Sequence, residues 1–249
     1  MVHFSAVCLL AKNENSYINE WLEWHLNKLG FMHVYIYDNE SDTPIESSID
    51  DKYKDNITII EWTKEKHRMF IQLDCYTHFI EHFGEENKWV AFIDADEFIR
   101  LINNDNINNF LLDYENYNGI FMEWLIYNAD GQYNRTDGFV RDRFKSFTTC
   151  KDIINNGKCI IKPNEYKHMG PHFPFSCKTK YNVVYSNKEF CKAYAKHNAP
   201  LDKIVVDHYF TKSYEEWCEK IKRGSCDPLC VKKIDNFFDF NPDMRPKEV

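Results

Sequence analysis

The chain has 249 residues, of which 43% are hydrophobic and 16% aromatic, and its formal net charge is -8. This acidic balance disfavours non-specific nucleic-acid binding, which depends on Lys and Arg contacts to phosphates. No apolar run approaches the ~20 residues needed to cross a bilayer, although the sequence leaves peripheral membrane contact open. No Pro-, Gly- or Ser-rich linker divides the chain, so we predict a single domain over residues 1–249.

The nine cysteines lack the close, regular spacing of a disulfide scaffold. The first residues lack the basic start and the long apolar run of a signal peptide. We therefore predict a cytoplasmic protein with reduced thiols. Cys226 and Cys230, with Cys218 nearby, leave a zinc site as an alternative, but no matched CxxC pairs support it, and free thiols are favoured.

Strands and helices alternate along the first hundred residues. Apolar runs predict strands at 7–11, 31–37, 57–62 and 89–93, and amphipathic stripes predict helices at 18–29 and 68–83. Two successive strand–helix–strand units are typical of a doubly wound, nucleotide-binding half. The segment contains no GxGxxG and no Walker A loop, which disfavours a dinucleotide oxidoreductase or a P-loop enzyme.

The pattern is less regular beyond residue 100. Predicted strands cover 119–127, 158–163, 181–185 and 204–209, and predicted helices cover 107–114 and 214–223. Ser213 and Glu216 form a capping box before the last helix, and the aromatic tail from Phe237 is expected to pack back on the body. We predict a smaller, mixed or antiparallel half here.

Residues 89–93 are apolar at every position and lead directly into Asp94, Asp96 and Glu97. This pattern is typical of a strand covered on both faces, and open α/β sheets bind ligands at the carboxyl ends of such strands. Because side chains alternate along an extended chain, we expect Asp94 and Asp96 to point to the same side. Two such carboxylates suit Mg²⁺ or Mn²⁺ bound beside substrate phosphates. The sequence predicts a metal-bridged diphosphate site; the alternative is a strand followed by an acidic turn or a helix N-terminus.

An ordered set of motifs along nearly the whole chain resembles the family 92 glycosyltransferases and their bacterial family-2-like relatives. The set comprises Lys12-Asn13-Glu14, Glu20-Trp21 with His25 and Gly30, Tyr37-Asp38-Asn39 with Ser41-Asp42, Asp94-Ala95-Asp96-Glu97-Phe98, the strand at 158–163 followed by His172-Phe173, and His208-Tyr209 with Lys212-Ser213, Glu216-Trp217, Lys220 and Gly224. The resemblance implies a single α/β domain of the GT-A-like fold. Its Rossmann-like, nucleotide-sugar-binding half would cover 1–100, and its acceptor-binding half with the C-terminal helix would cover 101–249.

The same resemblance implies a metal-dependent, inverting transfer of a hexose from a UDP-sugar, with galactose first among the donor sugars. The acceptor would be a glycan, such as a surface polysaccharide or a glycolipid. Mn²⁺ or Mg²⁺ would neutralise the leaving diphosphate. Asp94 and Asp96 would bridge the metal and His208 would be a third ligand, whose imidazole favours Mn²⁺. The alternative for His208 is a histidine satisfied at a strand end.

Under this resemblance the donor lies over the ends of the first strands. Asp38 is expected to accept a hydrogen bond from uracil N3–H or a ribose hydroxyl, although turn chemistry would also explain it. Lys212, near a helix N-terminus, is expected to face the diphosphate unless it is solvated. The remaining expected donor contacts are Lys12, Asn13, Glu14, Arg68, Gln72 and Ala95.

The sequence does not fix the general base of an inverting transfer. Glu123, Asp137 and His172 are candidates, and Trp124 either stacks on a sugar or belongs to the core. Two other function classes stay open. A nucleotidyltransferase of similar fold is disfavoured because residues 12–15 contain no glycine, and the third class is a non-catalytic sugar- or nucleotide-binding module.

Overall fold

The computed structural model of the protein describes residues 3–63, 70–103, 106–148, 156–193, 199–224 and 231–246. The strands are β1 (His3–Ala11), β2 (His33–Asp38), β3 (Ile57–Glu61), β4 (Asn87–Phe92), β5 (Glu97–Leu101), β6 (Gly119–Tyr127), β7 (Phe147–Thr148), β8 (Gly157–Ile161), β9 (Tyr166–Met169), β10 (Pro174–Cys177), β11 (Val183–Val184) and β12 (Ile204–His208). The α-helices are α1 (Ile18–Leu22), α2 (Ile71–Phe83), α3 (Ile107–Leu112), α4 (Val140–Arg143), α5 (Tyr214–Arg223) and α6 (Asp235–Phe240). A π-helical stretch, Glu23–Lys28, continues α1. None of the helices in these ranges combines the length and the apolar character that a bilayer crossing requires.

Ten strands form one mixed sheet, and β9 and β10 pair separately. Eight of the ten follow the order β3-β2-β1-β4-β8-β6-β12-β5, while β7 and β11 pair with β6. The strands from β3 to β4 in this order are parallel, whereas β8 runs antiparallel to both β4 and β6. The predicted α/β fold of the GT-A-like type, with a parallel half followed by a mixed half, is confirmed. The division of the chain at residue 100 stays a prediction, because one sheet runs through both halves.

Side-chain alternation along β1 builds an apolar layer on each face of the sheet. Val7 and Leu9 pack in a cluster with α1 and α3, whereas Ala6 and Cys8 pack in a cluster with α2. A parallel strand covered on both faces is apolar at successive positions, which explains why periodicity alone predicted it. The layering leaves the carboxyl ends of β1, β2 and β4 together at one open edge.

The α1 helix and its π-helical continuation fasten β5 to the parallel half. Trp21 donates from its indole Nε1 to the Glu97 carbonyl at 2.9 Å, and Trp24 donates likewise to the Ile99 carbonyl at 2.7 Å. His25 Nε2 accepts the Ile99 N–H at 3.3 Å. Burial lowers the pKa of His25 to about 3, so that its ring is neutral and able to accept this bond. These contacts fix the start of β5, directly after the predicted metal motif.

Residues 94–96, here named the acidic turn, do not continue the strand. β4 ends at Phe92 and β5 begins at Glu97, and the Glu97 N–H donates to the Asp94 carbonyl at 3.1 Å. The prediction that residues 94–96 continue as an extended chain is therefore wrong, and side-chain alternation, which holds only along extended backbone, does not apply to them. The turn nevertheless lies at the carboxyl edge where ligand binding was expected.

The second half carries the predicted capping box and the predicted return of the tail. Ser213 Oγ accepts the Glu216 N–H, and the Glu216 carboxylate accepts the Ser213 N–H, at the start of α5. Phe237 and Phe238 of α6 pack against Trp217 of α5. The α5 helix is thus capped at its start and covered by α6. Its inner face reaches the acidic turn.

A buried ion pair joins α5 to α4. The Arg143 guanidinium makes two hydrogen bonds to the Glu216 carboxylate, and the two side chains are 5% and 3% exposed. The hydroxyls of Ser213 and Tyr17 donate to the same carboxylate. Burial alone would raise the pKa of Glu216, but the hydrogen bonds from Arg143, Ser213 and Tyr17 lower it to about 2. Glu216 is therefore an ionised, fully partnered group inside the protein.

The substitution Glu216→Ala is expected to lower the free energy of unfolding by about 3–5 kcal/mol, because it leaves the Arg143 charge buried without its counter-ion. The control is Glu219→Ala. Glu219 pairs with Arg135 at 3.7 Å and is 57% exposed, so the expected loss is below about 1 kcal/mol. Urea denaturation of the wild type and both variants measures the difference, and equal losses would contradict the role given to the buried pair.

Candidate active site

Two adjoining cavities open at the carboxyl edge of the parallel strands. Their volumes are about 230 Å³ for the first cavity and about 420 Å³ for the second, and together they are large enough for a small-molecule ligand. The ends of β1, β4 and β12 and the start of α2 border the first cavity, and α5 borders both. The residues that line both cavities are Glu14, Asp96, Phe210, Lys220 and Arg223.

Asp94, in the acidic turn, is held by two side chains. Its Oδ1 accepts from Gln72 Nε2 at 2.7 Å, and its Oδ2 accepts from Lys158 Nζ at 2.8 Å. Lys158 lies on β8, is only 1% exposed, and has its Nζ 3.6 Å from Glu97 Oε2. Burial alone would lower the pKa of Lys158, but the carboxylates of Asp94 and Glu97 raise it above its ordinary value. The Asp94 side chain is still 34% exposed and lines the first cavity together with Gln72.

Asp96 is paired with Lys220 of α5 and lies beside His208. The Lys220 Nζ forms an ion pair with Asp96 Oδ2 and donates to the Phe210 carbonyl at 2.7 Å. His208 Nε2, at the end of β12, is 3.5 Å from Asp96 Oδ1. Burial alone would raise the pKa of Asp96, but Lys220 and His208 hold it well below its ordinary value. Asp96 is thus ionised and has a cationic and an imidazole neighbour at the wall of both cavities.

The groups around His208 fit a divalent cation. The ring directs Nε2 toward Asp96 and Nδ1 toward Glu97, whose Oε1 is 3.8 Å away. Neither this Nδ1 nor this Oε1 has a hydrogen-bond partner. Metal-bound histidines commonly direct their second ring nitrogen to a carboxylate in this way. Within the described ranges, no three His, Cys, Asp or Glu side chains are already grouped as a metal site, so Asp94 would have to join Asp96 and His208 to complete one.

Residues 12–14, predicted as one wall of the donor site, line the cavities and are fixed in place. The Asn13 side chain donates to Asp42 Oδ2 at 2.9 Å. Arg223 of α5 donates to the Lys12 carbonyl at 2.9 Å and forms an ion pair with Glu14. Lys12 lines the first cavity, Asn13 the second, and Glu14 both. The loop after β1 is therefore tied to the β2 loop and to the last long helix.

The end of β2 presents Asn39, rather than Asp38, to the first cavity. Asp38 accepts the N–H of Ser41 at 3.1 Å and that of Ile45 at 2.9 Å, and it lines neither cavity. Asn39 lines the first cavity, is 5% exposed, and has no hydrogen-bond partner for its Oδ1. Sequence reasoning passed over Asn39. The sequence feature that could have identified Asn39 is a polar residue directly after a strand that ends at the ligand-binding edge.

Lys212 lies in the second cavity. Its Nζ is 3.5 Å from the centre of the Tyr17 ring and 3.9 Å from Glu14 Oε2. Its backbone has a φ of 52°, a conformation that costs a non-glycine residue about 1–3 kcal/mol. Burial lowers the pKa of Lys212 below its ordinary value. The structure thus places a poorly solvated amine beside an aromatic ring, where an anion in the second cavity would reach it.

His172 lines neither cavity but packs against Trp124, which lines the first. Its ring centre is 5.1 Å from that of Trp124, which in turn lies 4.6 Å from His208 and lines the first cavity. His172 Nδ1 is 2.9 Å from the Gly157 carbonyl oxygen. A carbonyl can only accept, so Nδ1 carries the proton and Nε2 is the acceptor nitrogen. Burial lowers the pKa of His172 to about 4, which keeps the ring neutral near pH 7.

Glu123 and Asp137, like His172, line neither cavity. Glu123 is 5% exposed and lies close enough to Tyr185 and Cys191 to raise the pKa of each, although burial is the larger cause. Asp137 lies on an exposed loop before α4. Their catalytic roles stay predictions without support from position.

The remaining predicted residues lie at the first cavity, on α5 or outside the described residues. Ala95, in the acidic turn, lines the first cavity. Cys218 on α5 is a free thiol. Arg68, Cys226 and Cys230 lie outside the described residues, so the predicted donor contact of Arg68 and the zinc alternative stay untested.

Comparison with known proteins points to one family. The family model described as Glycosyltransferase family 92 matches residues 3–238. A glycosyltransferase family 92 protein from Ricinus communis is 29% identical over 230 residues, which cover 89% of this chain and 38% of that protein. One from Oryza sativa subsp. japonica is 31% identical over 114 residues, which cover 45% of this chain and 19% of that protein. The chain therefore spans well under half the length of these curated relatives.

Solved structures give a more distant likeness. The galactosyltransferase LgtC, in complex with donor and acceptor sugar analogues, matches with a TM-score of 0.43 and 10% identity over 98% of this chain and 97% of that chain. The mannosyltransferase Ktr4p from S. cerevisiae matches with a TM-score of 0.33 and 10% identity over 49% of this chain and 39% of that chain.

Proposed function

Because the chain belongs to glycosyltransferase family 92, we propose that it is a metal-dependent, inverting glycosyltransferase. It moves a hexose, with galactose favoured, from a UDP-sugar to a glycan acceptor such as a surface polysaccharide or a glycolipid. The reaction takes place in the cytoplasm. One observation carries the proposal: Asp96 and His208 lie 3.5 Å apart in a cavity that Lys12, Lys220 and Arg223 also line. Metal-ligating groups beside several cationic side chains suit a nucleoside diphosphate with its metal.

Asp96, His208 and Asp94 would hold the divalent cation, and the imidazole nitrogen favours Mn²⁺ over Mg²⁺. A cation bound there would neutralise the charge that develops on the departing diphosphate. The geometry supports this assignment in two ways. Asp96 and His208 are already neighbours, and the exposed part of Asp94 faces the same cavity.

The cationic side chains of the protein would bind the diphosphate itself. Lys220 and Arg223 line both cavities, and Lys212 lines the second. Their charges are balanced in the structure by Asp96 and Glu14. Charge-assisted hydrogen bonds from Lys and Arg to phosphate oxygens are short and strong. We therefore place the diphosphate where the two cavities join.

The nucleobase would lie in the first cavity, against the ends of β1 and β2. Asn39 offers a carboxamide there, whose oxygen accepts and whose nitrogen donates hydrogen bonds. Uracil presents a matching N3–H donor beside a carbonyl acceptor. Asp38 supports this position from behind, since its carboxylate orders the loop that follows β2 through Ser41 and Ile45.

His172 is the base that the geometry favours. Its Nδ1–H is held by the Gly157 carbonyl, so Nε2 can take the proton of the acceptor hydroxyl as that oxygen attacks C1 of the hexose. The attack comes from the face opposite the diphosphate, the bond between C1 and the diphosphate oxygen breaks, and the diphosphate leaves with the electron pair. Trp124 offers an aromatic face for a sugar between His172 and His208.

The two other function classes are less well supported. A nucleotidyltransferase needs an adaptable loop after β1 to wrap a triphosphate, whereas residues 12–14 are tied to Asp42 and Arg223. A non-catalytic binding module would need no base, whereas His172 has a defined tautomer with an acceptor nitrogen. Turnover of a UDP-sugar separates an enzyme from a module directly.

The primary test is thermal stability with UDP-, GDP-, CMP- and dTDP-sugars, each with and without Mn²⁺, followed by a transfer assay. A Mn²⁺-dependent rise of the melting temperature with UDP-sugars is expected, because a ligand that binds only the native state stabilises it by mass action. Asp96→Asn should remove the Mn²⁺ dependence and abolish transfer. The control Asp51→Asn changes a 91%-exposed carboxylate and should behave as the wild type. Full activity of Asp96→Asn would refute the metal role of Asp96.

A second prediction concerns the base. His172→Asn keeps an amide N–H at the position of Nδ1, so it preserves the bond to Gly157, but it removes Nε2. It should lower kcat roughly 10²- to 10⁴-fold with little change in the melting temperature or in UDP affinity. The control His168→Asn alters another histidine of the same segment, whose Nδ1 lies 3.3 Å from Thr77 Oγ1, and should keep kcat. A structural role for His172 would instead show as a loss of stability with kcat retained in the folded fraction.

A third prediction concerns the nucleobase. Asn39→Leu should weaken UDP binding by about 1–3 kcal/mol, which is the usual effect of losing a buried hydrogen-bond partner. Asn39→Asp keeps the acceptor for N3–H and should lose less. Calorimetric titration of UDP measures both affinities. Wild-type affinity in Asn39→Leu would move the base away from the end of β2.

A further inference from the structure

Each aspartate of the acidic turn has a lysine partner, and the two lysines are held very differently. Lys158 lies in the middle of the sheet on β8, is 1% exposed and bridges Asp94 and Glu97. Lys220 lies on α5, is 15% exposed and lines both cavities. Its ammonium forms an ion pair with Asp96, donates a hydrogen bond to the Phe210 carbonyl and lies 4.5 Å from the centre of the Phe210 ring and 5.9 Å from that of the Trp217 ring. Lys158 is therefore fixed, whereas the long side chain of Lys220 has open space beside its charged end.

The two lysines balance the charge of the two aspartates of the acidic turn. A divalent cation arriving alone would meet an ammonium group at Asp96, so like-charge repulsion would oppose it. A nucleoside diphosphate arriving with the cation changes this balance, because its negative oxygens offer Lys220 a new partner. The junction of the cavities also contains Arg223, which marks it as the place where these oxygens would lie.

We propose that Lys220 is a displaceable counter-ion of Asp96, which leaves that carboxylate for the diphosphate and so makes divalent-cation binding depend on the nucleotide. The inference rests on the proposed function, from which it takes the metal at Asp96 and His208 and the diphosphate at the junction of the cavities. Lys220 is a positioning and coupling residue in this scheme. It excludes the cation from the free enzyme and contacts the diphosphate in the complex.

The experiment measures Mn²⁺ affinity of the full chain by electron paramagnetic resonance of free Mn²⁺, with and without UDP. In the wild type, UDP should tighten Mn²⁺ binding by roughly 10- to 100-fold, and Mn²⁺ should tighten UDP binding by the same factor. In Lys220→Met, Mn²⁺ should bind more tightly without UDP, and the coupling should fall below about threefold. Lys220→Arg keeps the cation and should retain most of the coupling.

The matched control is Lys54→Met, which removes the same charge at a 58%-exposed residue paired with Asp51 and should leave the coupling unchanged. Melting curves check that each variant is folded, and Lys220→Gln replaces Lys220→Met if the latter is not. Wild-type coupling in folded Lys220→Met or Lys220→Gln would overturn this inference alone. Absence of any Mn²⁺ binding by the wild type, even with UDP, would overturn it together with the metal role in the proposed function.

Discussion

The acidic turn concentrates negative charge at the carboxyl edge of the sheet, and its neighbours are arranged to compensate that charge. A carboxylate withdrawn from water loses several kcal/mol of solvation unless charges and hydrogen bonds replace it. Four separate elements supply the replacement: Gln72 from α2, Lys158 from β8, His208 from β12 and Lys220 from α5. The turn is therefore stable only when both halves of the sheet and the last long helix have assembled around it.

This dependence explains why the elements around the acidic turn are built so firmly. The start of β5 is fixed through indole hydrogen bonds from Trp21 and Trp24. The helix that carries Lys220 is held at its start by the Arg143–Glu216 pair and packs on α6 through Trp217. One set of contacts fixes β5 and the other fixes α5. Together they fix the distance between Asp96 and the Lys220 ammonium. Fold stability and site geometry thus rest on the same contacts.

The sequence predicted those features that depend on local pattern. The two-sided burial of β1 and β4 gives continuous apolar runs, and the capping box pairs Ser213 with Glu216, three residues later. Asp94 and Asp96 were predicted from the apolar run that precedes them, and His208 from its place in the ordered set of motifs. The lysine partners were not, because Lys158 and Lys220 lie 64 and 124 residues from their aspartates and a lysine in a strand or helix carries no sign of what it faces. Asn39 was missed for a related reason: only the structure shows that backbone N–H groups already bind Asp38.

The unmet hydrogen bonds of the cavity argue that this edge is built for a ligand. Buried polar atoms without partners each cost about 1–3 kcal/mol. Asn39 Oδ1 and Trp124 Nε1 are such atoms, and both residues line the first cavity. A stable fold tolerates these losses where binding later recovers them. A sugar nucleotide offers donors and acceptors along its whole length, so it can satisfy such groups at the base and at the sugar in one binding event. The separation of the unmet groups along the cavity is itself a reason to favour an elongated, polar ligand over a compact one.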